Sequence, residues 1–245
     1  MAINTETQYG ITSFTLEGIG QKFSIISPLF FRDLLAQTLT GWHVSSIAKS
    51  GSADIQVGWE NDQFFIESNL VKSVPKRVDL IDVLNEFFLS LAYLTTAKTE
   101  GAQLIHCAAF NVHGQQSIIF GKKNSGKSSL TFEKARVGAE ILADDMLVWL
   151  PRSATFTCIG LPLRMRRPVI GLEGTEEEKK WFIAGKQIAY AQKDAFRIAS
   201  AGYSFVPDKI YRLENRSLSP VPFLSWPKAI TEHSISSEYT SLRIV

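Results

Sequence analysis

The chain has 245 residues, 45% of them hydrophobic and 20% charged, with a formal net charge of +2. This is ordinary globular usage, and so mild a basic excess argues against a nucleic-acid-binding face. Two cysteines, Cys107 and Cys158, lie outside any C-x-x-C pair; a thiol metal site and a disulfide framework are not expected, and a reducing compartment fits. The opening residues MAINTETQYGITSF lack a basic stretch followed by an apolar run, so no secretory signal is expected. No window reaches the 18 or so apolar residues of a membrane span. A cytoplasmic protein without a membrane or nucleic-acid partner is the expectation.

Residues 1–75 are expected to be β-rich, with FTLEGI, KFSIISPLF, WHVSSIA, ADIQVGW and QFFIES as strands, and FRDLLAQT as a helix among them. The clearest helix runs from Asp79 to about Ala97. Leu80, Val83, Leu84, Phe87, Phe88, Leu91 and Leu94 recur at three- and four-residue spacing, Asp79 suits the N-cap and Asp82 the first turn. This element reads as packing without chemistry. Then LIHCAAFNV reads as one strand, His113-Gly114 as a turn, and QSIIF as the next strand. A helix follows from Gly126 to about Arg136, and EILADDMLVWL reads as a third strand. The remainder is β-rich again in ATFTCIG, PLRMRR, KQIAYAQ and KIYRLE. TEEEKKWF reads as a short solvated helix or a flap, and SWPKAITEHS as a last helix.

The stretch FGKKNSGKSSL matches G-x-x-x-x-G-K-[ST] at every fixed position. Gly121 and Gly126 allow a tight turn that brings backbone N–H groups onto phosphate oxygens. The helix that follows adds its positive end. Lys127 is expected to reach the β- and γ-phosphates and Ser128 to ligate Mg²⁺. The residues expected to touch a nucleotide are Gly121, Asn124, Ser125, Gly126, Lys127, Ser128 and Ser129, while Lys122 and Lys123 read as solvated. An apolar strand before the loop and a helical pattern after it supply the required context.

Asp144 and Asp145 close the apolar run EILA, 18 residues beyond Lys127. An acid at a strand end beside a phosphate loop is the usual second Mg²⁺ element, and a second carboxylate could accept a proton from an attacking hydroxyl. In an extended segment the two point to opposite sides, so they need not share a role. His106, alone in an apolar run, reads by itself as a core residue.

Taken together, LIHCAAFNVHGQQSIIFGKKNSGKSSLTFEKARVGAEILADDMLVWL resembles the core of the HPr kinase/phosphorylase family, particularly the smaller HPr-kinase-related proteins of lasso-peptide and other biosynthetic clusters. The match covers about residues 100–150 and continues loosely through KIYRLE and SWPKAITEH. It implies an α/β fold: a P-loop kinase core of the HPr kinase C-terminal-domain type, with a mixed β-sheet and flanking helices, over residues 99–245. A β-rich N-terminal region with a long packing helix occupies 1–98. It implies transfer of the γ-phosphate of ATP, with Mg²⁺, to a serine hydroxyl of a peptide or protein, and it leaves a homo-oligomer open. His106 would then lie near the γ-phosphate, and Lys127, Asp144 and Asp145 would complete the catalytic set. Ser128 and Asp145 are the expected metal contacts, with the base left open between the aspartates. The larger enzymes carry Glu-x-Arg downstream, where this chain has Arg164-Met165-Arg166. A second metal, reverse phosphorylase activity and HPr as substrate are therefore not carried over. Arg164 and Arg166 share a side of their strand and could bind phosphate or an acidic substrate, or form a solvated edge.

Two other readings stand beside this one. A nucleotide-hydrolysing switch lacks support from an N-K-x-D segment, the nearest string being Gln192-Lys193-Asp194, and from an LSGGQ signature. A kinase acting on a small-molecule hydroxyl stays open, as does a binding protein that has lost its chemistry.

Overall fold

The computed structural model describes residues 10–45, 52–60, 63–68, 79–169 and 171–235. The expected strand WHVSSIA runs past this set after Ser45. Among the described residues the architecture is mixed α/β, with four sheets and few helices.

The front half is a five-stranded sheet of β1 (Ile11–Gly18), β2 (Gln21–Pro28), β3 (His43–Ser45), β4 (Ile55–Glu60) and β5 (Gln63–Ser68). Its order is β3-β1-β2-β4-β5, antiparallel except for the β2–β4 pair. The strands alternate as a half-buried sheet must, with Phe14, Leu16, Phe23, Ile25, Ile55, Val57, Phe64 and Ile66 turned into one core. The run KFSIISPLF is not one strand to its end. It stops at Pro28, which caps helix α1 (Leu29–Thr38), because proline suits the entry to a helix better than a sheet interior. Helix α2 (Leu80–Ala97) closes the same core with Val83, Leu84, Phe87, Phe88, Leu91 and Leu94. Each such burial contributes roughly 1.5–3 kcal/mol. As the sequence predicts, Asp79 caps it, its Oδ1 accepting from the N–H of Ile81 at 2.8 Å.

The back half holds three sheets. One has the order β15-β11-β10-β6-β18, a second β12-β14-β13 and a third β17-β16-β8-β7-β9. Their strands are β6 (Gln103–His106), β7 (Ala108–Val112), β8 (Gln115–Phe120), β9 (Glu140–Ala143), β10 (Met146–Leu150), β11 (Thr155–Cys158), β12 (Arg164–Arg166), β13 (Phe182–Ala184), β14 (Ile188–Ala191), β15 (Ser204–Phe205), β16 (Lys209–Glu214), β17 (Ser217–Pro220) and β18 (Ser234–Ile235). Among the described residues three α-helices complete it, α3 (Lys127–Arg136), α4 (Glu176–Trp181) and α5 (Trp226–Glu232), the last preceded by a short 3-10 turn at Phe223–Ser225. The stretch TEEEKKWF forms α4. Thr175 caps it, and Glu178 turns inward toward Arg167 at 3.5 Å.

Two expected strands are each broken in two. LIHCAAFNV divides at Cys107 into β6 and β7, and EILADDMLVWL divides at Asp144-Asp145 into β9 and β10. The two chains pair on both sides of the break, β7 with β9 in one sheet and β6 with β10 in another. They therefore change sheets together. The N–H of Cys107 donates to the carbonyl of Asp145 at 3.0 Å across the corner. This corner places His106 and both aspartates at the seam between two sheets. No helix among the described residues is long and apolar enough to cross a membrane.

Candidate active site

Strand β8 lies between β7 and β16, buried from Ser117 to Phe120, and it delivers the loop at its end. Gly121 is obligatory there. A Cβ on it would lie 2.6 Å from Ser125 Oγ and 2.9 Å from the carbonyl oxygen of Leu213, closer than real contacts allow. Gly126 is obligatory for a different reason, a φ of 101° that L side chains rarely adopt. Asn124, at φ 67°, takes the left-handed turn that asparagine tolerates best. No side chain among the described residues caps the start of α3. Its first N–H groups are the orphans of a helix terminus and favour an anion.

Lys127 is 7% exposed and folds back on the loop, its Nζ donating to the carbonyls of Gly121 at 2.8 Å and Lys122 at 3.2 Å. Burial holds its ammonium below the usual lysine range, against the pull of Asp145 and Asp144. The Oγ of Ser125 is buried with no hydrogen-bond partner among the described residues.

The two aspartates have different surroundings. Asp144 is 5% exposed, and its Oδ2 accepts from the N–H of Arg164 at 2.9 Å. Among the described residues its Oδ1 is buried without a hydrogen-bond partner, and the nearby Ser128 hydroxyl favours the charged carboxylate. Burial first, and then the charge of Asp145, push its pKa up to about 6. Asp145 has both oxygens engaged, Oδ1 with His106 Nε2 at 3.0 Å and Oδ2 with Arg164 Nη1 at 3.6 Å. Burial pushes its carboxyl up, but the His106 bond and the charges of His106, Arg164 and Lys127 outweigh this and leave it below the usual carboxylate range. It is ionised at neutral pH.

His106, at the end of β6, is held by its backbone N–H donating to the carbonyl of His233 at 3.0 Å. Arg164 is pinned from the front half, its Nη1 donating to Asn85 Oδ1 of α2 at 2.8 Å. Arg166 is exposed. The two arginines share the side of β12 opposite buried Met165, as the alternation predicts, but only Arg166 keeps the character of a solvated edge.

All these residues border one cleft of about 1410 Å³. The structure brings the whole loop, His106, Asp144, Asp145, Arg164 and Arg166 to it. It adds residues that the sequence did not single out. Asn85 comes from a helix read as packing alone, and nothing in its spacing marked it. His233 stacks on Phe120 with ring centroids 4.4 Å apart, its pKa lowered by burial. Asn215 and Arg216 come from the β16–β17 turn and Leu218 from β17 beside it.

A divalent ion fits beside Ser128 and Asp144. The unpartnered Oδ1 and the adjacent hydroxyl are hard oxygen donors, and Mg²⁺ is commonly bound through one or two carboxylates together with phosphates and water. Among the described residues no group of three or more His, Cys, Asp or Glu forms a ready-made metal cage, so phosphate and water oxygens would supply the rest. Compared with protein-family models and with curated proteins, the chain matches neither.

Proposed function

We propose that the chain is an ATP- and Mg²⁺-dependent kinase with a P-loop core of the HPr kinase type, acting in the cytoplasm on a hydroxyl, first of all a serine of a peptide or protein. One observation carries the reading. The ionised Asp145, bonded to His106, shares a cleft with an uncapped helix start and the lysine of a phosphate loop. A base held in this way can take the proton of an attacking hydroxyl, an acceptor's or water's, and the resemblance of residues 100–150 to the HPr kinase family favours the acceptor's.

The roles follow from the surroundings. The loop's N–H groups and Lys127 would bind the β- and γ-phosphates. Mg²⁺, held by Ser128 and Asp144, would offset phosphate charge. This assignment moves the metal from Asp145, expected from the sequence, to its neighbour, because both oxygens of Asp145 are already engaged. Asp145 would take the proton of the acceptor hydroxyl as its oxygen bonds to the γ-phosphorus. The bond from that phosphorus to the bridging oxygen breaks, and ADP leaves. His106 would orient the Asp145 carboxylate. Incubation with labelled ATP, Mg²⁺ and a panel of serine peptides tests the reading. Label should pass to an acceptor, and ATP hydrolysis with no acceptor labelled in any arm would overturn it in favour of an NTPase.

Two further outcomes are expected. His106→Ala should slow transfer by about 10²-fold, the scale of a small misplacement of a reacting group, while ATP affinity changes little. Rapid-quench transfer assays beside equilibrium binding separate the two, and equal losses would mark His106 as structural. Mg²⁺ affinity should fall as pH drops through about 6, because a protonated Asp144 cannot ligate. The sign for the metal-free fold is opposite. The Asp144 pKa is raised from 3.8, so its stabilising contribution is complete below that value and lost as pH rises through about 6. Calorimetric Mg²⁺ titrations at pH 5.5 and 7.5, with melting curves, check both.

A further inference from the structure

We propose that the β16–β17 turn holds the base of the nucleotide, with Arg216 stacking on it. The proposal rests on the nucleotide reading above. Three two-residue hairpin turns have described φ angles: Ile19-Gly20 at 54° and 68°, His113-Gly114 at 52° and 84°, and Asn215-Arg216 at 50° and 63°. All are left-handed at both central residues, the geometry whose second place defaults to glycine. The chain follows that default at Gly20 and Gly114 and departs from it at Arg216. Side chains at the first place have local reasons. Ile19 packs against a core cluster, and asparagine tolerates the conformation. Arg216 has no such reason, since it is exposed and no carboxylate among the described residues pairs with it.

The departing turn is the one that borders the cleft, through Asn215 and Arg216, with Leu218 of β17 beside them. It is also fixed to the phosphate loop. Strand β16 runs parallel beside β8 with Arg212 opposite Phe120, and the carbonyl of Leu213 abuts Gly121. Arg216 and Leu218 both line the cleft. Leu218 is 38% exposed, so a flat cation and an accessible apolar side chain border the same space. That combination suits the face of a purine, on which guanidinium stacks well. The phosphates already have the loop N–H groups and Lys127. The base has no planar partner in the loop, whose Lys122, Lys123 and Asn124 are exposed and polar.

The test measures binding of ATP and of inorganic tripolyphosphate to the full chain and to Arg216→Gly and Arg216→Lys. Arg216→Gly should weaken ATP about 10-fold, the scale of one stacked base, and leave tripolyphosphate unchanged. It should also raise the melting temperature of the free protein by about 2–4 °C, because glycine relieves the turn. Arg216→Lys keeps the charge without the plane and should weaken ATP nearly as much. Unchanged ATP affinity in Arg216→Gly overturns the proposal. So does an equal loss for tripolyphosphate, which would make the contact one to phosphate, and so does a melting temperature that fails to rise. Wild-type protein that binds neither ligand overturns the nucleotide reading itself.

Discussion

Lys127→Ala is expected to reduce phosphoryl transfer by about 10²–10³-fold, the usual loss when one positioned charge donor is removed from a developing anion. The buried ammonium already lies inside the loop, within hydrogen-bonding distance of the Gly121 and Lys122 carbonyls. On the proposed reading this ammonium is the group that meets the β- and γ-phosphates. Removing it also leaves those carbonyls without a donor, at roughly 1–3 kcal/mol if they stay dry. The variant should therefore melt lower than the wild type and bind ATP poorly. Single-turnover transfer together with a melting curve separates lost chemistry from lost fold. Full transfer activity in Lys127→Ala would show that the loop is not the active site.

The second large effect divides the aspartates. Asp145→Asn should lower the rate of transfer by about 10²–10⁴-fold, the range for a general base, with Mg²⁺ dependence unchanged. Asp144→Asn should instead raise the Mg²⁺ concentration needed for half-maximal rate by about 10-fold or more, the lower end of what loss of a metal-site contact costs. It carries a second signature. At neutral pH the buried, ionised Asp144 costs the metal-free fold roughly 3 kcal/mol relative to an unperturbed carboxyl, by linkage from its pKa of about 6. The asparagine lacks that charge and should melt higher at pH 7.5 without Mg²⁺, while gaining less from added Mg²⁺ than the wild type. Identical Mg²⁺ titration curves for the two variants would show that the carboxylates share one role.

How far the sequence reached depends on the kind of feature. The loop was legible because its backbone demands particular residue types at fixed places, and Gly121 and Gly126 meet those demands for two separate physical reasons. The long helix was legible because the large apolar residues of α2 recur at three- and four-residue spacing and its cap is an aspartate. The broken strands were not. Cys107 and Ala108, like Ala143 and Met146 on either side of the aspartates, are apolar and buried, so the hydrophobic pattern does not mark where the strands change sheets. The division of labour between Asp144 and Asp145 was not legible either. Alternation sends adjacent side chains apart without saying which side the loop will occupy. Asn85 left no trace, because a polar residue on a packing helix looks the same in sequence whether it meets water or Arg164. Arg216 did leave one, an arginine where a tight hairpin ordinarily has glycine, visible only once the pairing of KIYRLE with the next strand was known.

The bond from Asn85 to Arg164, and through it to Asp145, bears on how such a protein can change over time. A front half borrowed from elsewhere would have to supply its own partner for that arginine at the same height, or leave the guanidinium to drift from the carboxylate. The first hundred residues are thus not an interchangeable attachment to a finished engine. On the proposed reading, new acceptor preferences would arise more readily by local substitution around α2 and β12 than by exchange of the front half.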